Sequence, residues 1–464
     1  MPNQNLQFNQ NHNFSKPEVA FHKIKKGLNK KVVETISNYK KEDSWMKESR
    51  LKAYKIFQEK KLPNWGPDLS KINFDEITYF LKATEGKKKS WEELPTEIKE
   101  TYEAIGVPEH EKKWLSGVSA QYESEVVYES IQKDLEEKGV IFCDMDTAVK
   151  KYPNIVKKYF RKLIPPTDNK FAALNTAVWS GGTFIYIPEN VKVELPLQAY
   201  FRINQERFGQ FERTLIIADK NSSIHYIEGC TAPTYSTNSL HAAVVEIFAL
   251  ENARVRYTTI QNWSNNIYNL VTKRARAEKK ATVEWVDCNI GSAVTMKYPA
   301  ILLAGEKARG ELLSISLAGE NQHQDTGGKM IHFAPNTISK IINKSIAKDG
   351  GRSSYRGLVD IKKNAENSKN YTQCDALILD DISQSDTYPK INQENKTSII
   401  AHEASTEKID KDKIFYLMSR GLSKDKAQAM IINGFFDSII RKIPLEYSVE
   451  LYRLINLEMK KSVG

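Results

Sequence analysis

Apolar and polar positions follow two rhythms along the chain, and the switch between them marks three regions. From 17 to about 165 the spacing is mainly helical. Trp45, Met46, Leu51, Ala53, Tyr54 and Phe57 share one face of a run that Ser44 opens and that ends near Pro63. Val126, Val127, Tyr128, Ile131 and Leu135 also have helical spacing and stop near Gly139, after which Asp146 caps a second helix through Val149 and Tyr152. The lysine-rich stretch 85–90 reads as a loop. Helical spacing returns over 405–464. There Asp410 or Asp412 caps Ile414, Phe415, Leu417 and Met418 before Gly421; Ser423 caps Ala427 to Ile432 before Gly434; a last helix follows Pro444.

Between these regions, over 170–404, apolar strands of period two alternate with small polar corners. Corners recur at Glu189, Lys220, Glu251, Glu278, Glu306, Pro335, Lys363 and Glu394, a step of 27 to 31 residues. A stretch of alternating residues usually follows, as in Ala253-Arg254-Val255-Arg256-Tyr257. Period and alternation together predict the coils of a solenoid, a parallel β-helix whose strands stack in register. The competing arrangement is a β-sandwich with evenly spaced strands, which near-constant spacing of eight corners disfavours.

Stacked coils place residues of equal offset in one column. About ten positions past the corners lie Cys230, Gln261, Cys288, Ser316, Ser345, Gln373 or Cys374, and Glu403. A one-residue slip in that count turns a side chain to the other face. The column reads either as a line of thiols and polar groups along which sulfur could be received, passed and held, or as cysteines that serve as small buried apolar residues of a β-core.

The chain has 464 residues, is 40% apolar and 10% aromatic, and carries a net charge of +10. Its lysines are interleaved with acids, so the charge describes a solvated surface, and no nucleic-acid-binding motif accompanies it. No apolar run approaches the roughly 18 residues of a membrane span. Residues 1–16 are rich in Asn and Gln, lack the apolar core of a signal peptide and read as a disordered tail, so a cytoplasmic protein is expected.

The cysteines are four and far apart: Cys143, Cys230, Cys288 and Cys374. They form no CxxC pair, no zinc spacing and no local four-cysteine cluster motif. Iron–sulfur chemistry here therefore needs ligands remote in sequence or from a second subunit. His402-Glu403 lies one coil after Cys374, and thiolate, imidazole and carboxylate are all iron ligands.

Tyr371-Thr372-Gln373-Cys374-Asp375 followed by His402-Glu403-Ala404 resembles the core signature of the SufB/SufD family, the scaffolds of SUF iron–sulfur cluster assembly, and of its SufB branch in particular. Tyr226-Ile227-Glu228-Gly229-Cys230, Gln261-Asn262-Trp263, Val271-Thr272-Lys273-Arg274, Gly327-Gly328-Lys329-Met330-Ile331-His332, Trp65-Gly66-Pro67-Asp68-Leu69 and Ile431-Ile432-Asn433-Gly434-Phe435 carry the same resemblance. It implies a right-handed parallel β-helix flanked by helices, in complex with the SufC ATPase and the paralogue SufD or a second copy of the chain. Cys230 matches the acceptor of sulfur from a cysteine desulfurase or its shuttle protein, with Arg202 and Asn204 linked to that transfer. Gln261, Trp263 and Lys273 match an internal path; Cys374, Glu403 and His402 match the site of the nascent cluster beside SufD. Residues 408–444 match the segment that docks SufC, and the resemblance allows a reduced flavin as electron source.

Two departures stand out. Ala401 occupies a position where many members have glutamate, and the extra N-terminal cysteines of some members are absent. There is no G-x-x-x-x-G-K-[ST] loop, since Gly327-Gly328-Lys329 lacks both the earlier glycine and the following hydroxyl, so ATP hydrolysis is expected in SufC and the chain is read as a scaffold, not an enzyme. Two rivals remain at this stage: a SufD-like structural paralogue, and a β-helix carbohydrate-active enzyme built on Asp325, Asp360 and Arg356.

Overall fold

The polar corners are left-handed turns. A computed structural model of the protein describes residues 22–82, 87–88, 90–96, 98–100, 115–203, 208–231, 239–442, 448 and 451–456. Within it Asn190, Asn221, Asn252, Lys280, Lys307, Asn336 and Asn367 have φ between 55° and 64°. Asparagine tolerates this region better than other residues with a Cβ, because its short amide bonds locally. Three of the corners also bond one another. Asn221 Nδ2 donates to Asn190 Oδ1 and Asn252 Nδ2 to Asn221 Oδ1, both at 3.0 Å.

Each turn carries the chain from one parallel sheet to another. The first sheet stacks Leu197–Arg202, Ser223–Thr231, Arg254–Trp263, Thr282–Gly291, Arg309–Ala318, Ile338–Ala347, Lys369–Ile378 and Ile399–Lys408. The second stacks Thr183–Ile187, Arg213–Ala218, Val244–Ala249, Ile267–Ala277, the pair Val294–Lys297 and Ala300–Leu303, His323–His332, Arg352–Ile361 and Gln384–Gln393. The result is a β-solenoid of about seven turns with helices at both flanks, as the periodicity required.

Helices cover the outer faces. Lys30–Lys40, Ser44–Glu59 and Lys170–Val178 bury Val33, Ile36, Ala53, Phe57 and Leu174 against Tyr268, Leu270 and Met296 of the second sheet. Lys411–Ser419 and Lys424–Ile440 bury Ile414, Ile432, Phe436 and Ile440 against Ile227, Val286, Leu313 and Ile346 of the first. The strands beneath these helices are thus covered on both faces, and there hydrophobic alternation alone does not say which face is inside.

Several local expectations are corrected. Residues 126–131 are strand, not helix: Glu125–Ile131 pairs antiparallel with Gly117–Tyr122, and only Lys133–Glu137 is helical. The β-branched and aromatic content of Val126-Val127-Tyr128 decides that contest. Asp144, not Asp146, caps Met145–Lys151, its carboxylate accepting from the Thr147 amide at 3.0 Å. Gly434 does not end its helix, which continues to Ile440. Ser44 is the first residue of a helix ending at Glu59, and Asp410 is the N-cap of Lys411–Ser419. Residues 1–16, 85, 86 and 89 lie outside the described residues.

The two ends of the solenoid differ. At the start, Gly117–Tyr122 joins the first sheet and turns back antiparallel, and Ile141–Asp144 adds antiparallel to Thr183–Ile187. At the finish, Gln384–Gln393 and Ile399–Lys408 are edge strands, and most of their residues are exposed.

Asn221→Ala should destabilise the fold by about 1–2 kcal/mol through the left-handed backbone and the lost ladder bond. Asn221→Gly should cost less, and thermal melts of the two variants will rank them.

Candidate functional site

Strand pairing fixes which residues share a column. Cys230 pairs with Gln261, Gln261 with Asn289, Asn289 with Ser316, Ser316 with Ser345 and Ser345 with Ala376. Two residues earlier runs Glu228, Thr259, Asp287, Ser314, Asn343, Cys374 and Ala404. Two earlier again runs Tyr226, Tyr257, Trp285, Leu312, Ile341, Thr372 and His402, whose aromatic members have ring centroids 5.0 Å apart in sequence. All three columns face the space between the sheets. Opposite them the second sheet contributes Gln210, His241, Asn269, Thr295, Gln324 and Ser353 in one column, and Val271, Lys297, Thr326 and Tyr355 in the next.

The space between the sheets is thus apolar along one edge and polar along the other. Ala218, Ala249, Ala277, Val255 and Val283 fill the apolar side. The polar side carries side-chain atoms that are buried and have no hydrogen-bond partner among the described residues: Gln261 Nε2, Asn289 Oδ1, Ser316 Oγ, Gln324 Oε1, Thr326 Oγ1 and Asn343 Oδ1. Left dry, each costs about 1–3 kcal/mol, so the polar side is a place for water or a polar guest.

The four cysteines are all buried, but in different surroundings. Cys230 points between the sheets, with Glu228 Oε1 3.7 Å from its Sγ. The other Glu228 oxygen accepts a short hydrogen bond from the Tyr257 hydroxyl. Burial pushes the Cys230 thiol well above its usual range; Glu228 and Glu212 add to this, while Lys273 and Lys297 oppose it. Cys288 faces the other way, into the apolar layer beneath the C-terminal helices, and burial raises its pKa to about 12. It does not belong to the column proposed for it; Asn289 does. Cys143 lies outside the solenoid, packed with Met145, Phe184 and Leu215.

Below Cys230 the polar groups join in chains. His241 bonds Glu212 through Nε2 and Asn269 Oδ1 through Nδ1 at 2.7 Å, while Asn269 Nδ2 donates to Gln261 Oε1 at 2.8 Å. Burial alone would depress the His241 pKa, but the Glu212 carboxylate outweighs it and the net shift is upward. The Trp263 ring stacks obliquely 4.8 Å from this imidazole. Lys273 donates to Thr259 and, at 3.2 Å, to Asp287; Lys297 donates to the same Asp287 oxygen at 3.2 Å and to Gln261 Oε1 at 3.1 Å. Arg202 is buried in register with Thr231, one position past the pairing of Phe201 with Cys230, and Asn204 lies outside the described residues.

Cys374 sits at the open end, five ladder steps from Glu228 and hence roughly 24 Å along the stack. Its Sγ is 3.9 Å from His402 Nε2. Burial raises its pKa to about 12, while the nearby Tyr355 hydroxyl lowers it and Asp375 adds a smaller rise. The Tyr355 hydroxyl lies over Gly357, where a Cβ would stand 2.6 Å from it. Glu403 pairs with Gln373 on the outer face, where its carboxylate accepts from Tyr371 at 3.2 Å. The fold therefore brings Cys374 and His402 together and turns Glu403 away. Among the described residues no three of His, Cys, Asp and Glu converge on one metal position.

The left-handed residue is the true ruler of the repeat. Nine positions after Asn221, Asn252, Lys280, Lys307, Asn336 and Asn367 come Cys230, Gln261, Asn289, Ser316, Ser345 and Ala376. Counting from the polar corner fails where Glu278 opens its corner early, and where the corner over 362–368 holds two turns. Sequence reasoning also missed Glu228, Tyr257, Glu212, His241, Asn269, Asp287 and Lys297. Their signal is a polar side chain recurring at alternate positions in adjacent coils. Asp325 and Arg356, candidates for a hydrolytic pair, are tied to each other at 2.8 and 3.0 Å with Tyr298 on the same carboxylate, and Asp360 is bound to Lys362 at 2.9 Å.

Comparison with known proteins gives matches over nearly the whole chain. The family described as SUF system FeS cluster assembly, SufBD core domain, matches 201–435, and the SufBD protein N-terminal region matches 28–199. The chain is 54% identical to the iron–sulfur cluster assembly protein SufB of Bacillus subtilis over 97% of each sequence. It is 53% identical to iron–sulfur cluster assembly SufBD family proteins of Staphylococcus aureus strains MRSA252 and USA300, again over 97% of each.

Because the Cys374 thiolate is favoured only toward pH 12, its alkylation by iodoacetamide should be slow at pH 8 and accelerate as pH rises. Tyr355→Phe removes a nearby hydroxyl that lowers the thiol's pKa and should slow the reaction further. Mass spectrometry of the labelled peptide gives both rates.

Proposed function

The chain belongs to the SufB/SufD family of iron–sulfur cluster assembly proteins, and from that premise we propose that it is a scaffold that accepts sulfur at Cys230 and builds a nascent cluster at Cys374. One observation carries this reading. Both thiols face the same space between the sheets, and columns of polar side chains run unbroken from one to the other. A sulfur species can travel that edge without crossing apolar packing. Gln261, Trp263 and Lys273 line the way, and Arg202 stands beside the acceptor.

The cluster is cargo, and this chain supplies only part of its ligand set. Cys374 and His402 offer a sulfur and a nitrogen at the open end; Glu403, on the outer face of the same strand, joins only if that edge strand twists or a partner draws it in. The exposed edge strands, with Ile382, Tyr388, Ile391 and Ile399 bare of cover, suit a paralogous subunit such as SufD or a second copy, which would complete the site. On the C-terminal helices Phe415, Tyr416, Met418 and Met430 are exposed, a patch suited to a SufC-type ATPase docking over 408–444. ATP hydrolysis then belongs to that partner, and the sulfur donor is a cysteine desulfurase or its shuttle protein. Among the described residues no helix is long and apolar enough to cross a membrane.

Co-expressed anaerobically with the ATPase and the paralogue, the wild-type chain should purify coloured and with iron. Cys374→Ser should lose at least about tenfold in bound iron, since even the outer partners of metal ligands act on that scale. Cys230→Ser should fail with desulfurase-derived sulfur, whereas Cys288→Ala should keep its colour. Full colour in Cys374→Ser would sink the proposal.

A further inference from the structure

Between Cys230 and Cys374 the inner columns carry no thiol among the described residues: Thr259, Asp287, Ser314 and Asn343 occupy one, and Gln261, Asn289, Ser316 and Ser345 the other. The one cysteine at the right height, Cys288, is sealed in apolar packing on the opposite face. Sulfur bound at Cys230 therefore has no thiol to hop to over roughly 24 Å. A thiol relay would also meet sulfur atoms whose ionisation burial suppresses.

About midway the structure holds cations. Lys273 and Lys297 are both fully buried, and both point at one oxygen of Asp287, each at 3.2 Å. Two ammonium groups touch one carboxylate. The other charges of this space are engaged elsewhere. Glu228 is held by the Tyr257 hydroxyl and the Cys230 thiol, and Glu212 by His241. Gln261, 1% exposed, spends its oxygen on Lys297 and Asn269, which leaves its Nε2 hydrogens without an acceptor among the described residues. Burial with a like charge beside it depresses the Lys297 pKa to about 8, against the pull of Asp287, so an anion placed here would relieve that ammonium.

We infer that Lys273, Lys297 and the Gln261 amide form a binding site for a small monovalent anion, and that sulfur crosses the interior as hydrosulfide held there. The identity of the anion rests on the scaffold reading; the site itself does not. Release at Cys230 is a two-electron reduction: the persulfide Cys–S–S⁻ takes two electrons and two protons to give Cys–SH and HS⁻. A dithiol supplies both and closes to its disulfide. The S–S bond breaks, the Cys230 sulfur regains its proton and the outer sulfur leaves as the anion. Two ladder steps beyond Lys297 its column reaches Tyr355, which is buried in the same cluster as Cys374, so the next stop is the cluster site.

The test uses the full chain. Crystals soaked in bromide, equal to hydrosulfide in charge and close in size, should show an anomalous peak between Lys273, Lys297 and Gln261. Lys297→Met should abolish it, because one lysine then faces one aspartate, and that balanced pair should let the variant fold; Lys297→Arg should keep it. In the anaerobic complex with the ATPase and the paralogue, supplied with ferrous iron, Cys230 is loaded with labelled sulfur from a small persulfide and reduced with dithiothreitol. Lys297→Met should load as the wild type does, yet deliver label to iron at Cys374 at least about tenfold more slowly, the scale of one hydrogen bond to a charged group. Loading followed by wild-type delivery, or no bromide in the wild type, overturns the inference. Failure of Cys230 to load at all overturns the scaffold reading instead.

Discussion

Parallel strands stacked without slippage make every coil present the same position to the same place, and everything else in this molecule depends on that constraint. Period-two alternation then sends half of each strand inward, and left-handed turns of constant reach keep the phase from drifting over successive coils. Residues far apart in sequence, such as Glu228 and Cys374, become members of one line. A single slip would exchange Cys230 for Gly229 and move the whole polar lining onto the faces that the helices cover. The aromatic column Tyr226, Tyr257 and Trp285 and the bonded asparagines both reward the correct phase, so register is held from inside and from the corner.

The arrangement divides polarity within the interior. Apolar side chains lie outward under helices and along one edge of the space between the sheets, while amides, hydroxyls, carboxylates and two ammonium groups line its other edge. Such an interior does not stabilise by itself: unpaired groups at about 1–3 kcal/mol each would soon consume the roughly 5–15 kcal/mol that keeps a domain folded. The apolar edge of the same space and the two helix-covered faces offset that burden. Polar side chains retained at such a cost point to function, because an aliphatic filling would serve the fold better.

The architecture could be read from sequence because corners and alternation are local signals. Glu189 to Glu394 mark the coils, and the helices near 44–59 and 411–440 carry ordinary caps or spacing. The site was harder. Both faces of Thr282–Gly291 are buried, so Cys288 and Asn289 look equivalent until the left-handed residue is located, and φ is not written in the sequence where lysine replaces asparagine, as at Lys280 and Lys307. The short run at 126–131 was ambiguous for a different reason: four apolar residues fit either period. His402 and Cys374 were legible as neighbours because they lie one coil apart, whereas the facing of Glu403 depended on one residue of phase.

The antiparallel strands at the start of the solenoid give the stack a direction. A strand whose chain runs the other way breaks the repeat of stacked coils, while the last coil offers two edges ready for pairing. Two such molecules joined finish to finish leave only blocked starts exposed, so association closes at a pair and no fibre can grow. The reversal at residues 117–144 thereby works as a stopper: it makes a bare sheet edge at the opposite pole safe to keep.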